Sequence, residues 1–352
     1  MDIQRLRKEI DKIDKEILRL LNKRAEVAVQ IGKIKKEKGF SLYCPLREKN
    51  LINTLIKKNE GPLPPESIEN IYREILSASV NLQKGLTIAY LGPEATFTNE
   101  AARKKFGSAA NYHSLSSIKE IFTEVEKARA DFGVVPVENS TEGVETHTLD
   151  MFIESDLKIC DEILLPISHY FLSKSKKDEI RMVYSHPQAL AQCRIWLQKN
   201  LPNVQLKEVY STAQAARLAA KEKGTAAIAS ELASKLYNLS VIGQNIEDSS
   251  RNVTRFLVIG KEWSKPTGKD KTSLMFSVRD KVGALYSSLK PFYDHKINLT
   301  KIESRPSKRR LWEYYFFVDF EGHCEEERVK KALGELKTHC TFLKILGSYS
   351  KG

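Results

Sequence analysis

"LTIAYLG", residues Leu86 to Gly92, decides how this chain is divided. Before it, apolar residues recur every three or four positions; within it they form a short run that stops at Gly92-Pro93. A run of that length bounded by Gly and Pro reads as a strand, so a helical period gives way here to a strand period. Downstream, "TNEAARKKF" has helical spacing, and "FGVVPVENSTEG", "MVYSHPQALAQCRIWL" and "TAAIASELAS" repeat strand, polar turn and helix. This alternation predicts an α/β architecture with mainly parallel sheets. Ligand sites in such sheets gather beyond the carboxyl ends of strands. Thr96, Thr98, Asn139, Ser140, Thr141, Ser185, His186, Gln188, Ser211 and Thr212 cluster at those ends. Several precede helices, where N-capping explains a hydroxyl as well as ligand binding does.

Upstream of the change, residues 2–38 carry a heptad seam of Ile3, Leu6, Ile10, Ile13, Ile17, Leu20, Val27, Ile31 and Ile34. The seam position between Leu20 and Val27 is Arg24. A helix of that span is about 55 Å long, too long for a small monomeric domain, so the expectation is a helix packed along a second chain. A second helical run, about Pro45 to Lys58, puts Glu48 on a face with Ile52 and Leu55. After the joint "EGPLPPES", a third run from about Ser67 to Gln83 holds Ser79 and Gln83 beside its apolar face. One polar residue in such a seam sets register; Arg24, Glu48, Ser79 and Gln83 across three helices suggest the lining of a polar cavity. Lys35 shares a helix face with Arg24, whereas Arg7 is rotated roughly 100° away and suits a different site.

Beyond the linker-like "EWSKPTGKDK", the order strand, helix, strand, strand, helix, strand predicts a ferredoxin-like plan. Just before that linker, "NVTRFLVIG" (Asn252 to Gly260) sets Thr254 and Arg255 directly against the apolar run from Phe256 to Ile259. An ordinary strand entry and a functional site are both open readings of that stretch.

Composition narrows the function classes. The chain has 352 residues, 41% hydrophobic and 29% charged, which suits two or three packed domains. No segment reaches the roughly 18 consecutive apolar residues needed to span a bilayer, and "MDIQRLRKEIDKID" has no apolar signal core. Cys44, Cys160, Cys193, Cys324 and Cys340 are odd in number and never spaced as CxxC, which reads as reduced thiols in a cytoplasmic protein. The net charge of +12 includes the clusters Lys35-Lys36 and Lys308-Arg309-Arg310, but no nucleic-acid motif accompanies it. Small polyanionic ligands are the better expectation, with no nucleic acid, membrane, metal or cofactor.

"GPEATFTNEAA", "GVVPVENSTEG", "SHPQALAQC" and "NVTRF", in that order, with "GAL" and "ESRP" after them, resemble the bifunctional chorismate mutase–prephenate dehydratase family with a regulatory ACT domain. The resemblance covers essentially the whole chain. It implies a helical mutase over residues 1–84, a two-lobed dehydratase like periplasmic binding proteins over 85–262, and an α+β ACT domain over 271–352. For the mutase it implies a pocket shared by two subunits, formed by Arg24, Lys35, Arg47, Glu48, Ser79 and Gln83, with Arg7 supplied by the partner. Guanidinium forks suit the two carboxylates of chorismate. Lys35 and Gln83 suit the ether oxygen, and Glu48 the ring hydroxyl. Some members carry an acidic residue three positions before Arg47, where this chain has Cys44.

For the dehydratase the resemblance assigns Thr254 as donor to the departing hydroxyl of prephenate. Thr96, Asn139, Ser140, Arg255 and Phe256, together with Ser185, His186 and Gln188, would line the substrate site. Arg255 is left with two readings, a carboxylate ligand or a brace for the loop, and His186 with a site role or a structural one. L-Phenylalanine would be held at a subunit interface by Gly283, Ala284, Leu285 and Asn298 with Glu303, Ser304, Arg305 and Pro306. Gly283 reads equally as a plain helix start. The implied assembly is a homodimer or a dimer of dimers. A ligand-responsive binding protein without turnover is the alternative class, and it leaves Arg24, Lys35 and Thr254 unexplained.

Overall fold

The computed structural model describes residues 2–38, 45–249, 251–307 and 313–351, so Cys44 and the Lys308-Arg309-Arg310 cluster lie outside the described residues. The chain divides into two compact units, Met1–Thr87 with Arg103–Asn111, and Ile88–Ala102 with Tyr112–Gly352. The α/β and ferredoxin-like segments therefore share one unit.

Three helices, with the Arg103–Asn111 segment, build the first unit: α1 (Ile3–Glu37), α2 (Pro45–Lys58) and α3 (Pro65–Gln83). Asp2 starts α1 by accepting from the backbone N–H of Gln4 at 3.0 Å, and Lys35 and Lys36 sit in its last turn, where they complement the helix dipole. Pro65 opens α3 at a position where no N–H is needed. α3 packs on both other helices. Of all the residues in α1, only Gly32 is buried. A Cβ at Gly32 would lie 2.6 Å from Cγ of Gln83, so the glycine is what admits α3 so close. At about 52 Å, α1 outruns that packing. Ile3, Ile10 and Ile13 remain 64%, 56% and 54% exposed, and the apolar seam read from the sequence is present but uncovered.

In the second unit the first lobe contains β1 (Thr87–Leu91), α4 (Phe97–Phe106), β2 (Asn111–Leu115), α5 (Ile118–Glu126), β3 (Phe132–Asn139), β4 (Gly143–Val144), α6 (Thr146–Glu154) and β5 (Lys158–Pro166). The chain then forms a second lobe from β6 (Tyr170–Ser173), β7 (Met182–Ser185), α7 (Pro187–Gln192), α8 (Arg194–Asn200), β8 (Gln205–Glu208), α9 (Thr212–Ala219), β9 (Thr225–Ala229), α10 (Glu231–Tyr237) and β10 (Ser240–Gly243). It returns to the first lobe as β11 (Val253–Gly260). The first sheet runs β2-β1-β3-β11-β5 with β4 on β3, and the second β10-β6-β9-β7-β8.

The sheets are mixed, which corrects the expectation of mainly parallel ones. β1–β3, β7–β8 and β7–β9 are parallel, but β11 runs antiparallel to both its neighbours, as do β6 to β9 and β10 to β6. The cause is the double crossing between lobes: a strand that returns from the second lobe enters the first sheet from the opposite end. Local alternation of strand and helix does not reveal that return.

The remaining elements are β12 (Asp270–Ser277), α11 (Ala284–Asp294), β13 (Leu299–Pro306), β14 (Tyr314–Glu321), α12 (Glu327–His339) and β15 (Phe342–Ser350). They follow the ferredoxin-like order, with a sheet β13-β14-β12-β15. One face of this sheet packs Leu274, Phe276, Val318 and Phe320 against α11 and α12 through Phe292, Val329 and Leu336. The other face, with Met275, Tyr315, Phe317, Leu346 and Tyr349, shares a core with Val137, Leu149, Phe152, Leu257 and Ile259 of the first lobe.

Candidate active sites

In the first unit, Arg24 Nη1 donates to Ser79 Oγ at 2.6 Å, and Ser79 Oγ donates to the carbonyl of Ile75 at 2.6 Å. Gln83 Nε2 donates to the Ser79 carbonyl at 3.2 Å, while its Oε1 is buried with no hydrogen-bond partner among the described residues. A buried amide oxygen left unmatched is costly unless something polar meets it. Lys35 is half-buried near the end of α1. Glu48 lines a small cavity with Arg73, Ser77, Val80 and Asn81, and Arg47 beside it is exposed. Arg7 is exposed and lies about 25 Å along α1 from Arg24, out of reach of the group in its own chain.

In the first lobe of the second unit, β11 and β3 pair so that Thr254 faces Asn139. Asn139 Nδ2 donates to Thr254 Oγ1 at 2.7 Å and to Asn252 Oδ1 at 2.7 Å. The Asn139 carbonyl oxygen is held in turn by the N–H of Thr141 at 3.0 Å, its hydroxyl at 2.6 Å, and the N–H of Glu142 at 3.1 Å. These bonds fix the amide orientation and make Thr254 an acceptor toward Asn139, which leaves the threonine's own proton for another partner. The network continues as Asn252 Nδ2 donates to Gln192 Oε1 at 3.1 Å, and His169 Nε2 meets the same oxygen at 2.8 Å. Burial lowers the His169 imidazole below its ordinary value, against a raising effect from the bond to Gln192, so it is held neutral with its proton on Nε2. Its Nδ1 is buried and unpartnered among the described residues.

Asn139 and Thr254 were expected at the site and are brought together. Gln192, Asn252 and His169 were missed, although "SHPQALAQC" contains Gln192 and "NVTRF" begins with Asn252. A glutamine ending a short helix and an asparagine before a strand look like capping residues until their partners are known.

Other expected residues are placed elsewhere. Arg255 projects from the opposite face of β11, where Glu162, Asp319 and the Tyr349 hydroxyl take its guanidinium at 2.8, 2.6 and 2.8 Å. Burial alone would lower its pKa, but Tyr349, Asp319 and Glu162 outweigh that and raise it. Three of its five N–H donors are engaged there, on the face away from Thr254, which makes Arg255 a brace between strands. Phe256 is 2% exposed and anchors the strand from within the core. The Ser185 hydroxyl is fully buried and donates to the Ile228 carbonyl at 2.7 Å, tying β7 to β9. Thr96 donates to the Leu91 carbonyl and accepts from the Asn99 N–H, an N-terminal turn arrangement. Ser140 Oγ is locked between the Arg251 carbonyl and the Val253 N–H. His186 and Gln188, at the start of α7, are half-buried.

In the last segment, Gly283 precedes α11 with φ of 75°, a left-handed conformation that favours glycine, and a Cβ there would meet nothing. The requirement at Gly283 is therefore conformational. Ala284 is buried, Leu285 half-buried and Asn298 exposed. Along β13, Ser304 and Pro306 are exposed, whereas Glu303 and Arg305 are half-buried on the face toward the first lobe. Arg305 forms a forked pair with Asp150 of α6 at 3.1 and 3.2 Å. The four expected residues of "ESRP" are thus divided between two faces.

Residues 88–264 match the prephenate dehydratase family, 6–84 the type II chorismate mutases and 272–338 the ACT domain. A bifunctional chorismate mutase/prephenate dehydratase of Aquifex aeolicus is 54% identical over 355 residues, covering 99% of this chain and 98% of the relative. One from Pseudomonas aeruginosa is 44% identical over the same shares. The chain belongs to this bifunctional family. It is an enzyme with chorismate mutase and prephenate dehydratase activities. A prephenate dehydratase from Arthrobacter aurescens solved in complex with L-Phe superposes with a TM-score of 0.70 at 33% identity, over 76% of this chain and 90% of that one. No helix among the described residues is long and apolar enough to cross a membrane.

Proposed function

We propose a division of the two activities among specific residues. In the helical unit, Arg24 and Arg47 bind the carboxylates of chorismate, with Ser79 holding Arg24 in place. Lys35 and Gln83 stabilise charge on the breaking ether oxygen, and Glu48 accepts from the ring hydroxyl. The rearrangement is intramolecular, so holding the compact conformer and stabilising that oxygen supply the rate enhancement. A second copy of this chain lies along the exposed seam of α1 as a homodimer, and its Arg7 completes each site. The uncovered isoleucines of α1 support this assembly.

In the dehydratase, Thr254 donates to the hydroxyl leaving the prephenate ring. As the ring carboxylate departs as carbon dioxide, its bonding electrons enter the ring and the C–O bond breaks. The departing oxygen takes a proton and leaves as water. The observation that carries this reading is the Asn139-to-Thr254 hydrogen bond, which occupies a threonine lone pair and frees the proton to point at substrate. Gln192 and Asn252 hold the pair in register, and Arg255 has no part in binding the anion. L-Phenylalanine binds the last segment near Gly283 and the exposed side of β13 at Ser304, where it inhibits the dehydratase. These steps take place in the cytoplasm.

The test is a chorismate-to-phenylpyruvate assay on the purified chain and two variants. Thr254→Ala should lower dehydratase kcat by about 10²- to 10⁴-fold and leave the mutase intact. Lys35→Ala should lower the mutase by about 10²- to 10³-fold and spare the dehydratase. Equal damage to both activities in a folded protein sinks the assignment. Inhibition by phenylalanine should weaken in Ser304→Ala, and unchanged inhibition there counts against the effector site.

A further inference from the structure

Thr254 and Asn139 face each other across β11 and β3, and the next rung of the same ladder pairs Arg255 with Glu138. Immediately beyond it the register shifts, between Arg255 and Phe256. The catalytic pair therefore sits past an irregularity on the β3 side, where the β11–β3 ladder alone does not fix its geometry, while β11 keeps unbroken register with β5 from Val253 to Val258. Side chains of the Arg255–Glu138 rung leave on the face opposite Thr254, and there they meet the ACT sheet. Lys301 Nζ of β13 donates to Glu138 Oε2 at 2.8 Å. Arg255 pairs with Asp319 of β14 and Glu162 of β5, and Lys271 of β12 donates to both oxygens of Glu162 at 2.8 Å. Three cations thus balance three carboxylates, all on strands.

The environment makes these pairs stiff. The side chains of Lys301, Arg255, Asp319 and Glu162 are 13%, 11%, 11% and 1% exposed, and only Glu138, at 37%, reaches solvent. Water competes weakly for such pairs, and removing one member strands a charge in the interior. Surface ion pairs of the kind at Glu16 and Arg19 hold nothing in place by comparison.

We propose that Lys301 and Asp319, both in the ACT segment, are positioning residues for the dehydration. They grip the Arg255–Glu138 rung from behind and so set the distance between Thr254 and Asn139 on its other side. Neither touches substrate; each acts through the strand. The proposal rests on the reading of Thr254 as the hydroxyl donor.

The experiment uses the full-length enzyme, whose mutase activity reports on an intact chain. Lys301→Met removes the charge and keeps the length. Dehydratase kcat on prephenate should fall on the order of tenfold to a hundredfold with KM held within about threefold, because orientation rather than ground-state binding is lost. Lys301→Arg should recover most of the rate. A wild-type kcat in Lys301→Met, or an equal loss in Lys301→Arg, overturns the proposal. Should Lys301→Met fail to fold, Asp319→Asn carries the same expectation, and an unchanged kcat there overturns it equally. Thr254→Val separates this failure from failure of the underlying reading. An active Thr254→Val removes the donor role and the proposal with it, whereas an inactive one beside a fully active Lys301→Met removes the positioning role alone.

Discussion

The two catalytic regions store their chemistry in opposite ways. In the helical unit, Arg24, Ser79 and Gln83 interrupt apolar seams, and the group ends in an amide oxygen without a partner among the described residues. In the dehydratase, Asn139, Thr254, Asn252, Gln192 and His169 bond to one another in one continuous run, which leaves only the Thr254 proton and His169 Nδ1 outside it. On the proposed reading the first site is completed from outside, by ligand and by a second copy of the chain, whereas the second is arranged within the chain itself. An open group should be sensitive to the packing that shapes it, and a continuous one to the loss of a link.

The largest effect outside Thr254 itself is expected at Asn139, which joins two links of the continuous run. Asn139→Ala should cost about 10²- to 10³-fold in dehydratase kcat, comparable to removing a preorganised donor elsewhere. Mutase turnover on the same chain should not change. A loss under threefold, measured with prephenate at saturation, would mean that Thr254 orients without its neighbour and that the network is scaffolding.

The open site should instead break through space. Gly32→Ala places a methyl 2.6 Å from Cγ of Gln83 in the tight α1–α3 crossing. Overpacking of this kind displaces neighbours at a cost of about 1–3 kcal/mol. We expect mutase kcat/KM to fall on the order of tenfold while the dehydratase is unaffected, read by separate assays on chorismate and prephenate. A mutase of full activity would show that Gln83 moves aside without consequence and has no role at the ether oxygen.

The same contrast explains what the sequence made legible. A helix advertises a polar residue in an apolar seam, because the 3.6-residue period assigns every position to a face before any tertiary structure is known. Arg24 and Ser79, which the structure joins by a hydrogen bond, were singled out that way, and so was the exposed side of α1. A strand end gives no such signal. Thr254 and Arg255 are adjacent and both polar, but alternation sends them to opposite faces, and only the pairing of β11 between β3 and β5 decides which of them meets Asn139. Arg305 and Ser304 part for the same reason on β13. Ser185 and Ser140 were misplaced because a hydroxyl serves a backbone carbonyl as readily as a substrate. His169 carried no pattern at all, being a lone histidine among "ISHYFLS", and its partner Gln192 is 23 residues away.

His169 gives the smallest effect and the sharpest test of the continuous run. Its imidazole supports Gln192 from the far end, so His169→Phe removes one neutral hydrogen bond and should slow the dehydratase about three- to tenfold. The sign of its pH dependence follows from burial. The folded-state value is lowered from 6.5. Between that lowered value and 6.5 the unfolded chain binds a proton that the folded chain does not, so folding stability decreases as pH falls through the window. Protonation would also place a second N–H at Nδ1, where no acceptor is present among the described residues. The stability advantage of the natural protein over His169→Phe should therefore be largest at neutral pH and shrink on acidification, measured as the difference in thermal midpoint. An advantage that grew as pH fell would mean that the imidazole is held charged, and Gln192 would then have to be oriented by something other than a neutral Nε2–H donor.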